Sequence, residues 1–125
     1  MSRARLKVLA DIAAVIKLTD LTALSLAASK RAALEARIAA LEMAAREARS
    51  CAQGETDAGF LAAQESFGRL NALRRDRLRL DLDQAMARWA EQRDKAAKSF
   101  GRSQILDELH SEAFAQAKAA LANRD

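Results

Sequence analysis

Groups able to act as nucleophile, proton carrier or metal ligand are scarce in this chain. His110 is the only histidine and Cys51 the only cysteine, and they lie roughly sixty residues apart in a chain of 125 residues. A zinc-type centre needs three or four such ligands, and a thiol–imidazole pair would need the fold to bring these two together. The plain reading is a solvated or half-buried imidazole on a helix and a small side chain near a turn. The stretch GETDAG at 54–59 has neither the lysine nor the preceding strand of a phosphate-binding loop. These residues predict no enzymatic activity, no metal, no cofactor and no small-molecule substrate. The chemistry left to the chain is binding.

For binding, the candidates are charged or aromatic. Arg74, Arg75, Arg77 and Arg79 form the densest basic run, offset by Asp76, Asp81 and Asp83. On a helix the four arginines fan over a wide arc, whereas nucleic acid asks for unopposed cations along one side. The run reads as a solvated face or a protein-binding patch. Residues 1–53 hold nine Lys and Arg against five acids, and residues 54–125 hold twelve against twelve. The net charge of +4 therefore sits on the first part of the chain. Its opening, Arg3, Arg5 and Lys7, can seat in an acidic cavity of a protein assembly or simply keep a helix end soluble. Trp89 is the only tryptophan; it fills the core against the first helix or anchors a partner. These eight residues are the candidate partner contacts.

The elements that position them are helices. The chain has no proline and four glycines, three of them at Gly54, Gly59 and Gly68, and it is rich in alanine, leucine, glutamate and arginine. The pattern predicts an all-α fold, a long antiparallel two-helix coiled-coil hairpin, forming one elongated unit over 1–125. Helix 1 covers about 3–52, the turn about 53–58 and helix 2 about 59–122. Gly54 is expected to end helix 1 in the left-handed conformation, and Thr56 or Asp57 to cap helix 2. At about 1.5 Å per residue, helix 1 would run roughly 75 Å and must pair lengthwise.

Leu6, Leu9, Ile12 and Ile16, widened by Val8 and Val15, mark the first apolar stripe, and Leu24, Ala27, Leu34, Ile38, Leu41, Ala45 and Ala48 mark a second. Ile16 and Leu24 are eight apart, so near Thr19 to Ala23 the seam is expected to shift around the helix or the partner to change. In helix 2 the stripe reads Phe60, Ala63, Phe67, Leu70, Leu78, Leu82, Met86, Trp89, Ala96 and Phe100. A kink or short break is expected at Gly101, with Ser103 as a new N-cap. The pairs Glu42–Arg46, Arg77–Asp81, Arg79–Asp83, Glu91–Lys95 and Asp94–Lys98 are spaced i,i+4, which marks helical flanks.

The most apolar window, around Val8 to Ala28, is interrupted by Asp11, Lys17 and Asp20, and the expectation is that it does not span a membrane. A membrane role would be peripheral only. A single cysteine gives no disulfide framework, so a reducing cytoplasm is expected.

This layout resembles the flagellar FliJ and type III secretion YscO family of small, basic, proline-poor helical hairpins. The points of similarity are the opening LKVLADIAAVIK, the run ALEARIAALEMAARE on the first helix, the mid-chain turn, and RWAEQRDKAAKSFGRSQILDEL on the second. Members often place a tryptophan followed by charged residues where this chain has Trp89, Glu91, Arg93 and Lys95. The resemblance implies a non-enzymatic cytoplasmic stalk or adaptor in protein export. In it the paired chain ends enter the pore of the hexameric export ATPase, and the shaft meets the export gate or chaperones. Lacking tyrosine, this chain offers no counterpart for the aromatic shaft contacts of some members. A second reading is a self-associating structural or regulatory coiled coil, including a homodimer, because two helices alone leave much apolar surface wet.

Overall fold

The computed structural model describes residues 2–124. It is all-helical, with α1 at Arg3–Ala52 and α2 at Ala58–Ala122 packed against each other as a helical hairpin. Ser2 caps α1: its Oγ accepts the Arg5 amide at 3.2 Å and its carbonyl accepts the Leu6 amide at 3.0 Å. The turn works as its residues demand. Gly54 sits at φ +80°, where a Cβ would be strained, and Asp57 caps α2 by accepting the Phe60 amide at 2.9 Å. Thr56 is not the cap; its own amide, like that of Asp57, donates to the Glu55 carboxylate at 3.1 Å.

The contacts divide the chain into two compact units, Ala27–Trp89 and the remainder on either side of it. Within Ala27–Trp89, Leu34 and Ile38 of α1 bury against Leu78 and Ala85 of α2, with Leu41 and Leu82 around them. Asn71 is buried and donates its Nδ2 to the Leu41 carbonyl at 3.0 Å. Near that bond, Arg79 reaches Glu42 across the helix pair at 3.3 Å. At the other end of this unit the Arg31 guanidinium lies 4.8 Å over the Trp89 ring.

In the unit that holds both the first turns of α1 and the last of α2, the buried positions are, apart from Leu6, small side chains. Leu6, Ala10 and Ala13 are buried on α1, and Ala96, Ser99 and Ser103 on α2. Ser99 donates its hydroxyl to the Asp20 carboxylate. Lys17 Nζ and the Arg3 guanidinium each stand 5.6 Å over an aromatic ring of α2, Phe100 and Phe114 respectively. Arg3, Lys17 and Arg31 are fourteen residues apart, two heptads, so each occupies the same seam position and covers an aromatic ring. That pattern accounts for cations in a seam where apolar residues are expected.

Three expectations about the seam are corrected here. Along α1 the buried and half-buried positions Leu6, Ala10, Ala13, Lys17, Asp20, Leu24, Ala27, Arg31, Leu34, Ile38 and Leu41 keep one unbroken 4-3 spacing. There is no phase shift between Thr19 and Ala23. Leu9, Ile12 and Ile16, expected in the first stripe, are exposed, and the smaller Ala10 and Ala13, which let the backbones approach, are buried in their place. In α2 the buried positions run through Asn71, Leu78, Ala85, Ala96, Ser99 and Ser103, while Phe60, Phe67, Leu70, Met86 and Phe100 lie exposed beside them. Finally, α2 continues without a break through Gly101, so Ser103 starts nothing. It sits inside the seam at 1% exposure.

Candidate partner-binding surface

The eight candidate contacts do not gather into one site. Arg3, Arg5 and Lys7 are exposed on the first turns of α1, with Arg3 drawn over Phe114. The arginine run divides as a helix requires. Arg75 lies half-buried on the seam, its Nε enclosed without a hydrogen-bond partner, and its stem packs as long basic side chains do. Arg79 crosses to Glu42, whereas Arg77 pairs along its own helix with Asp81 at 3.8 Å. Arg74 and Arg77 share a groove of about 680 Å³ with Arg37, Leu41, Leu73 and Asp81. Of the five i,i+4 pairs read from the sequence, Arg77–Asp81 is the one formed among the described residues. Exposed pairs of this kind contribute ~0–1 kcal/mol each and position little. Trp89 is half-buried against Arg31.

Cys51 is exposed and belongs to the Ala27–Trp89 unit; His110 is half-buried and belongs to the other. Among the described residues no three His, Cys, Asp or Glu side chains gather as a metal site requires.

The feature that sequence reasoning missed is the outer face of α1. Val8, Ile12, Val15, Leu18 and Leu26 are all more than half exposed. Beside them a shallow apolar groove of about 320 Å³ is lined by Leu9, Ile12 and Ile16 of α1 and by Arg102, Ile105 and Leu106 of α2. Of the three charges that interrupt the apolar window, Lys17 and Asp20 turn towards α2, to Phe100 and Ser99, and Asp11 is exposed. By length and composition alone α1 is long and apolar enough to cross a membrane, a test that the core helix of a soluble protein also passes. In the sequence the outer face is marked by the 4-3 spacing of Val8, Ile12 and Val15.

Compared with known protein families, with characterised proteins and with solved structures, the chain matches none.

Proposed function

We propose that the chain is a non-enzymatic, cytoplasmic coiled-coil stalk or adaptor of a flagellar or type III protein export apparatus, and that it binds the export ATPase. The observation that carries this reading is the seating of the first turns of α1 on the last turns of α2 in one unit, with Arg3 over Phe114 at 5.6 Å. Arg5 and Lys7 stand exposed beside that contact. A paired helix end carrying free cations suits an acidic ring of a protein assembly, because desolvated opposite charges steer and orient association. Its test is a pull-down with the export ATPase, together with the hydrolysis rate in the presence and absence of the chain. Binding that weakens on reversing Arg3, Arg5 and Lys7 to Glu supports the proposal; no binding and no change in rate refutes it.

A second reading, a self-associating coiled-coil protein, is favoured by a different observation: the apolar residues of the outer α1 face that α2 leaves uncovered. Monomeric proteins seldom leave contiguous apolar surface of this kind in water.

A further inference from the structure

The exposed residues Val8, Ile12, Val15, Thr19, Thr22 and Leu26 follow one another at spacings of four and three on the outer face of α1. They form a second heptad stripe, each member two residues after a seam residue and so about half a turn around the helix from the seam that meets α2. Their exposures run from 51% at Ile12 to 69% at Leu26 among the aliphatic members. The two threonines do not break the stripe. Thr19 Oγ1 donates to the Val15 carbonyl at 3.0 Å and Thr22 Oγ1 to the Leu18 carbonyl at 2.9 Å. With the hydroxyls held inside the helix's own hydrogen bonding, no polar group needs an outside partner.

We propose that a second copy of this chain packs along this stripe, so that α1 carries two coiled-coil seams, one for α2 and one for its own copy. The inference rests on the self-association reading and is independent of the export assignment. Two observations select a second copy as the occupant. The first is register: a period of 3.5 sustained over about three heptads, with β-branched side chains at five of six positions, is what knobs-into-holes packing between helices requires and what a lipid surface does not. The second is area. Half-exposed aliphatic side chains offer roughly 50–100 Å² each, so the stripe with its neighbours Leu9, Ile16 and Leu18 presents about 500–800 Å², close to the ~800 Å² per partner of a standard interface.

Sedimentation equilibrium of the full chain carrying Cys51→Ser, from roughly 1 to 100 µM, tests the proposal over the affinity range in which such interfaces fall. The expected result is a dimer whose dissociation constant rises at least tenfold in Val15→Glu and in Leu26→Glu, each with unchanged far-ultraviolet helicity because both positions are exposed. Leu73→Glu, at a residue 68% exposed in the other unit, is expected to leave the dimer unchanged. A monomer at every concentration overturns the proposal, as does a dimer that Val15→Glu leaves intact. Flotation of a monomeric chain with vesicles of phosphatidylglycerol and phosphatidylcholine, lost in Val15→Glu, would give the stripe to lipid instead.

Discussion

Removing the Arg31 guanidinium should uncouple the two helices at Trp89, and the cost can be worked from the contact. The cation stands 4.8 Å from the ring centroid, and its side chain is 32% exposed. Cation–π pairs contribute about 0.5–1 kcal/mol when exposed and about 2 kcal/mol when desolvated, so a partly covered pair is worth about 1 kcal/mol. Arg31 Nε also donates to Glu35 at 3.0 Å. That i,i+4 pair adds about 0.3–0.5 kcal/mol, and alanine returns a few tenths of a kcal/mol in helix propensity. Arg31→Ala should therefore cost about 1–1.5 kcal/mol. With a urea slope of about 1–3 kcal/mol/M, the midpoint falls by roughly 0.5–1 M. Because Trp89 is the sole tryptophan, its emission in the wild type and in Arg31→Ala reports on this site. Urea titrations of the wild type, Arg31→Ala, Trp89→Leu and the double variant, followed by circular dichroism, give the coupling directly. A coupling near 1 kcal/mol is expected. A coupling within 0.3 kcal/mol of zero, or a folded-state emission maximum unmoved by Arg31→Ala, would refute the assignment of Arg31 as a seam residue that covers an aromatic ring.

Other perturbations follow from the same geometry. Ser99→Ala strips the half-buried Asp20 carboxylate of its hydroxyl donor, and a loss of about 1–2 kcal/mol is expected in urea unfolding, shrinking towards zero when Asp20→Leu is also present. Leu78→Ala opens the Leu34, Ile38 and Ala85 cluster and should cost about 2–4 kcal/mol, the lower part of the range if the two helices close over the gap. Gly54→Ala places a Cβ at φ +80° and is expected to lower stability by about 1 kcal/mol with no loss of helicity in circular dichroism.

How much of this was legible depends on the physical signal each feature leaves. The hairpin and its turn were readable because Gly54 and Asp57 do one job each at a helix end, and neither depends on distant partners. The core of the Ala27–Trp89 unit was readable because Leu34, Ile38 and Leu78 are both large and buried. In the other unit the rule failed. There the seam uses Ala10, Ala13, Ala96 and Ser103, whose small side chains bury little area yet allow close approach, while Val8, Ile12 and Val15 face away. The charged residues Lys17 and Asp20 looked like interruptions of an apolar stripe, when each in fact meets a specific group on α2, Phe100 and Ser99. Pairing between helices is a property of both sequences at once, and a single-helix pattern records only one of them. Gly101 misled for a related reason: glycine weakens a helix by about 1 kcal/mol, but helical residues run on either side of it, and packing of the flanking Ala96, Ser99 and Ser103 against α1 offsets that amount.

The central claim is that the first turns of α1 bury Ala10 and Ala13 in the seam with α2 and turn the larger Val8, Ile12 and Val15 away from it. Ala13 and Val15, two residues apart, stand on opposite sides of that division at 9% and 64% exposure. The most direct measurement compares the urea stability of Ala13→Glu and Val15→Glu, taken at a concentration where the wild type is monomeric so that self-association does not contribute. The account predicts that Ala13→Glu loses at least ~2 kcal/mol, since a charge is forced into a close-packed seam, while Val15→Glu stays within ~0.5 kcal/mol of the wild type. Equal losses, or a larger loss at Val15, would contradict it.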